Sequence, residues 1–128
     1  NRTNAQAMIN ALEYVVDQGI PKAKVPGYRV GGKSGTARVA VAGGYGKDYM
    51  AWFAGFAPVS NPRYAMVVVI NEPKGNAYYG GAVAAPAFAE AMGGILQLFN
   101  VRPDAEPAMT PNNNSKLARQ EAPLVPRT

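Results

Sequence analysis

Six residues, Gly31-Gly32-Lys33-Ser34-Gly35-Thr36, bring together one cation, two hydroxyls and positions with no side chain at all. Two chemistries fit that set. From Gly27 to Ser34 the letters match the phosphate-binding loop G-x-x-x-x-G-K-[ST]. That loop works only after a buried strand and at the start of a helix, whose free N–H groups receive the phosphate. The residues before it, Pro21-Lys-Ala-Lys-Val-Pro26, hold two prolines and read as no central strand. The residues after it, Gly35-Thr-Ala-Arg-Val-Ala-Val41, read as strand. A nucleotide-binding loop is therefore the remote alternative.

The second chemistry needs Lys33 to open an edge strand. Side chains alternate along a strand, so Ser34 and Thr36 share one face. Twist at the strand start would swing the Lys33 ammonium toward the same cleft. Gly35 would leave room for a ligand backbone lying along the strand. Such a surface suits an extended peptide ending in a carboxylate, with hydroxyl donors, one positive charge and a strand edge to pair with.

Composition removes other chemistries. The 128 residues include no cysteine and no histidine, so a thiol nucleophile, a Ser-His-Asp triad and a His or Cys metal site are all absent. No metal and no cofactor are expected. The net charge of +5 is scattered along the chain, with no basic stripe for a phosphate backbone, so nucleic acid is not an expected partner. Hydrophobic residues make up 48% and charged residues 16%, enough apolar side chain for a core. No run of eighteen residues is both charge-free and strongly apolar, and neither a transmembrane helix nor a signal peptide is expected.

The elements that must hold the site follow from periodicity. Ala5, Met8, Ile9, Leu12, Val15 and Val16 predict a helix over 4–18, capped by Thr3 or Asn4 and ended by Gly19. Residues 19–32 read as a Pro/Gly loop. Strands are expected at 33–42, 48–57 and 64–70, joined by turns at Gly43-Gly44-Tyr45-Gly46 and Ser60-Asn61-Pro62-Arg63. The second strand is apolar or small on both faces, which predicts cover on both sides, with Trp52 and Phe53 in the core. A helix over 84–99 follows, with Pro86 in its first turn and Phe88, Met92, Ile95, Leu96 and Phe99 on its buried face. Residues 103–128 read as a flexible Pro/Asn-rich tail after a body at 1–102. The expected fold is α+β, a three-stranded antiparallel meander flanked by an N-terminal and a C-terminal helix. Two helices undersupply a sheet apolar on both faces, so the chain reads as part of something larger.

Lys33-Ser34-Gly35-Thr36 on a strand resembles the third motif of the penicillin-binding proteins and serine β-lactamases. The likeness continues through Ala51-Trp-Phe-Ala-Gly-Phe-Ala-Pro58, Pro62-Arg63-Tyr-Ala-Met-Val-Val-Val-Ile-Asn-Glu-Pro73 and Tyr78-Tyr-Gly-Gly-Ala-Val-Ala-Ala-Pro86. Over residues 1–104 the chain is similar to the C-terminal end of the class B transpeptidases, the cell-division members above all. The resemblance implies D,D-transpeptidation: crosslinking of peptidoglycan stem peptides ending in D-Ala-D-Ala through a serine acyl-enzyme, and acylation by β-lactam antibiotics. It implies that Lys33 lines the cleft, that Ser34 and Thr36 hold the substrate carboxylate, and that the N–H of Ala37 or its neighbour joins an oxyanion hole. Arg38 would form the outer lip. Tyr49, Tyr78 and Tyr79 would place aromatics near the cleft, with Gly80 and Gly81 letting their loop fold over it. The implied location is the bacterial inner membrane, catalytic domain in the periplasm, alongside a glycan synthase and divisome proteins.

One departure is decisive. The family's S-x-x-K and S-x-N are missing: Ser34, Ser60 and Ser115 are the only serines, and none has Lys three places later. The nucleophile and its lysine are expected on an upstream segment of the same protein, and this chain by itself is expected to be inert. A penicillin-binding-like sensor or scaffold without turnover is the alternative reading.

Overall fold

A computed structural model describes residues 1–105. The order is α1 (Arg2–Gly19), a 3-10 turn (Pro21–Ala23), β1 (Gly31–Val41), β2 (Gly44–Ala57), β3 (Tyr64–Asn71) and α2 (Gly80–Leu98). The strands form one antiparallel sheet in the order β1-β2-β3, the expected meander between two helices. The expected tail lies outside the described residues from 106 onward. Its first residues do not hang free: the Ala105 N–H donates to the Gly27 carbonyl at 3.2 Å.

Register assigns the two faces. Ser34 lies opposite Phe53, and Phe53 opposite Val68; Lys33 lies opposite Ala54, and Ala54 opposite Val67. The first set faces α2. The Phe53 and Phe88 rings meet with centroids 4.7 Å apart, and both side chains are fully buried. Ala84, Ala85, Phe88, Met92 and Leu96 form the buried stripe of α2, stepping by about one turn. Val16, Ile20, Ala23, Val25 and Val30 close the same core from the end of α1 and the loop behind it. By length and a mean hydropathy of 1.2, α2 is apolar enough to cross a membrane, but it carries the charged Glu90. Its buried stripe instead lies on the sheet.

Several expectations are corrected. The first helix begins at Arg2 and is capped by Asn1, whose side chain accepts from the Asn4 N–H. Only its C-terminal half is covered: Val16 is buried, while Met8 and Ala5 are exposed. The last helix starts at Gly80, so Pro86 sits inside it on an exposed position, where its missing N–H costs one internal bond. Phe99 is not on the buried face; it caps the helix at 60% exposure, tilted toward Tyr64. Double-sided cover of the sheet is not found among the described residues. The face opposite α2 leaves Val67 at 63% and Val69 at 52% exposure. It opens, with Leu12, Lys33, Ala54, Phe56 and Ala65, into an apolar groove of about 360 Å³.

Phe53 carries the contact between sheet and helix, so Phe53→Ala should destabilise the protein by about 3–5 kcal/mol. The check is a lower denaturant midpoint at unchanged slope.

Candidate functional site

β1 is an edge strand of the described sheet, paired with β2 alone. Its residues on the α2 side are Ser34, Thr36 and Arg38, opposite Phe53, Ala51 and Tyr49. Steps of two strand residues put the Cα atoms of these three residues in a row about 7 Å apart. As expected, Ser34 and Thr36 share a face. The strand runs straight through Lys33 and Ser34 with no helix opening there, which removes the context a phosphate-binding loop requires.

Thr36 is set by α2. The Gly80 N–H donates to Thr36 Oγ1 at 3.1 Å. With that oxygen accepting, the hydroxyl keeps its own hydrogen to donate, the role a carboxylate ligand needs. Gly80 and Gly81 are therefore not a loop folding over the cleft; they are the first residues of α2. A side chain at Gly80 would run into the carbonyls of Trp52 and Gly35, so only glycine lets the helix come down onto the strands.

Lys33 departs from expectation. The strand begins at Gly31, so Lys33 is inside it, and alternation turns its side chain to the face opposite Ser34 and Thr36. The side chain lines the apolar groove with Ala54 and Phe56. Its exposed ammonium folds back and donates to the Ser34 carbonyl at 2.8 Å. The charge thus stays close to the strand backbone through this bond. Gly35 also has another explanation: the indole of Trp52, directly opposite, occupies the space a side chain there would take. Trp52 is accordingly half-buried on the open face, whereas Phe53 is core as expected. Ala37 lies on that open face, opposite Met50.

The aromatic residues gather as anticipated. Tyr49 and Tyr78 stack with centroids 4.2 Å apart, and Tyr79 adds a third ring 4.3 Å from Tyr78. Arg38 holds its guanidinium 5.7 Å from the Tyr49 ring, a cation–π contact. Tyr79 is the residue just before α2, so the stack adjoins Thr36 through Gly80. The Tyr78 hydroxyl donates to that of Tyr79 at 3.0 Å. Ionising Tyr78 would forfeit that donated bond and set its charge beside Tyr79, and its phenol is pushed up to about 12.

An edge strand with paired hydroxyls and a backbone-held lysine, seated on an apolar helix, marks a class. Residues 1–93 match the family model for the penicillin binding protein transpeptidase domain, and the chain belongs to that family. It is 53% identical over 85 residues to the peptidoglycan D,D-transpeptidase FtsI of Escherichia coli K12, a match covering 66% of this chain and 14% of that protein. The FtsI of Buchnera aphidicola subsp. Baizongia pistaciae is 46% identical over 103 residues, covering 78% of this chain and 18% of the relative. Among solved structures, the apo TP domain of penicillin-binding protein 3 from Burkholderia pseudomallei superposes with a TM-score of 0.73 at 44% identity, covering 81% of this chain and 32% of that one. The chain thus spans less than a fifth of the length of these two curated relatives.

The donated bond predicts that Tyr79→Phe returns the Tyr78 phenol from about 12 toward the ordinary tyrosine value of 10. Tyrosinate absorbance followed through an alkaline titration checks it.

Proposed function

We propose that this chain supplies the substrate-carboxylate wall of a peptidoglycan D,D-transpeptidase. In this reading an extended stem peptide ending in D-Ala-D-Ala lies along β1. The Ser34 and Thr36 hydroxyls grip its terminal carboxylate, and Lys33 keeps the local potential positive. The free edge of β1 offers backbone groups to the peptide. Arg38 and the Tyr49–Tyr78–Tyr79 stack border the cleft, and an N–H at or next to Ala37 contributes to the oxyanion hole. The single observation that carries the reading is the Gly80–Thr36 bond, which engages the Thr36 oxygen as acceptor and leaves its hydrogen to donate from an edge strand of the family's fold.

The nucleophilic serine and its lysine come, in this proposal, from another segment of the longer polypeptide. The serine oxygen attacks the carbonyl between the two D-Ala residues, D-Ala leaves carrying the serine's proton, and an amine of a neighbouring stem peptide takes the acyl group. With no histidine, protons move through lysines and hydroxyls. β-Lactams, which also carry a carboxylate, acylate the same serine. The residues of this chain bind and polarise; without the other segment they perform no turnover. The exposed half of α1 and the apolar groove on the open face are the surfaces against which the remaining segments pack. We place the whole enzyme at the bacterial inner membrane, facing the periplasm, with a glycan synthase and divisome proteins as partners.

In the complete protein, Lys33→Ala should nearly abolish acylation by a fluorescent penicillin; normal labelling would refute its role. Thr36→Val removes the donor and should weaken carboxylate-bearing β-lactams by about ten- to a hundredfold, in line with a charge-assisted hydrogen bond of about 1.5–3 kcal/mol. Competition labelling reads the change, and unchanged affinity would count against the carboxylate grip.

A further inference from the structure

The strand that carries the hydroxyl row is tied down at its start by a residue beyond the last helix. Arg29 lies two positions before β1 and is held on three sides. Its N–H donates to Asp104 Oδ1 at 2.7 Å, its carbonyl accepts from the Val59 N–H at 3.0 Å, and its guanidinium makes a two-pronged pair with Glu13 at 2.6 and 2.7 Å. The other oxygen of Asp104 accepts from the Ser60 N–H at 3.1 Å. One carboxylate thus bridges the lead-in to β1 and the turn leaving β2.

The place of this bridge has a physical reason. The β1–β2 ladder ends at the pair Gly31–Phe56. Two residues past Phe56 stands Pro58, which has no N–H to donate. The Arg29 and Ser60 N–H groups are left pointing where no strand can answer them, and the two oxygens of Asp104 do. Neighbouring bonds fasten the same segments together: the Tyr28 hydroxyl donates to the Val101 carbonyl at 2.6 Å, and the Ala105 N–H to the Gly27 carbonyl at 3.2 Å. Burial works against the ionised form of Asp104, but the two N–H donors outweigh it and hold the carboxyl below the usual carboxylate range.

We propose that Asp104 is a positioning residue for the transpeptidase site: by clamping Arg29 to Ser60 it fixes the height and twist at which β1 presents Lys33, Ser34 and Thr36 to the substrate. Among the described residues β1 has a ladder on one side only, so its lead-in is where a one-sided strand tilts most easily. Lys33 lies four residues beyond Arg29, about 13 Å along the strand. A small rotation at the clamp is carried to the hydroxyl row along backbone with no second ladder to resist it. Asp104 touches no substrate; its effect on the reaction runs through the strand. The proposal rests on the transpeptidase reading above.

The test uses the complete protein and the time course of acylation by a fluorescent penicillin. The rate constant reports the geometry of the site, while the final labelled fraction reports how much protein is folded. Asp104→Ala should lower the rate constant about tenfold, within the range by which small misplacements slow reactions. Asp104→Asn keeps one acceptor oxygen and should fall between; it carries the test alone if the alanine variant does not fold. Lys24→Ala breaks a nearby exposed pair with Asp17 that leaves β1 untouched, and should keep the wild-type rate constant. A rate constant within twofold of wild type in the folded Asp104 variants, with loss confined to the labelled fraction, would reduce Asp104 to a structural tie and overturn the proposal. Wild-type protein that takes no label at all would overturn the transpeptidase reading, and this proposal with it.

Discussion

The descent of α2 onto the sheet at Gly80 governs the geometry of the site. A helix can approach strand backbone this closely only where it presents no side chain, and the first residue of α2 meets that condition over Gly35 and Trp52. The contact does two things at once. It lets Phe88 reach Phe53 and close the core, and it brings an otherwise unpaired helix N–H to the Thr36 hydroxyl. A shift of the helix by a fraction of its pitch would cost both core density and the orientation of the donor.

β1 divides its work between two faces. Toward α2 it shows Ser34, Thr36 and Arg38; away from it, Lys33 and Gly35. The lysine's ammonium is tied to the Ser34 carbonyl, and the glycine serves the fold by receiving the indole of Trp52. That indole covers the strand where a larger residue would have pushed it away from β2. The open face is apolar enough to need cover. Its exposed valines and the groove beside Leu12 fit a family in which the two FtsI relatives are several times longer than this chain.

The ends of the strands are secured by polar bonds rather than by area. Arg29, Glu13, Ser60 and Asp104 lie where the ladder stops and the hydrophobic core thins, and their bonds satisfy N–H groups that secondary structure leaves over. The aromatic stack works similarly at the other end of the sheet. Tyr78 stacks between Tyr49 and Tyr79, and Arg38 lies over Tyr49, joining β1 and β2 to the Gly-bearing loop just before it becomes helix.

Element order, antiparallel pairing, the core residues Phe53, Phe88, Met92 and Leu96, and the placing of Ser34 and Thr36 on one face were all legible in the residues. Periodicity and alternation are local properties, and each of these follows from them. The motif with its flanking segments was enough to show the family. Several assignments went astray because their causes lie far away in the chain. The face Lys33 takes depended on where β1 starts, the purpose of Gly35 on an indole seventeen residues later, and the start of α2 on a backbone contact with another element. Asp104, read as the beginning of a tail, is bound to Arg29 seventy-five residues before it. Sequence by itself determined which residues can be strand, helix, core or hydroxyl donor, since those follow from short-range sterics and spacing. Only the tertiary structure decided which groups meet, because a contact between distant segments is chosen by the packing of the whole and leaves no periodic trace in either one.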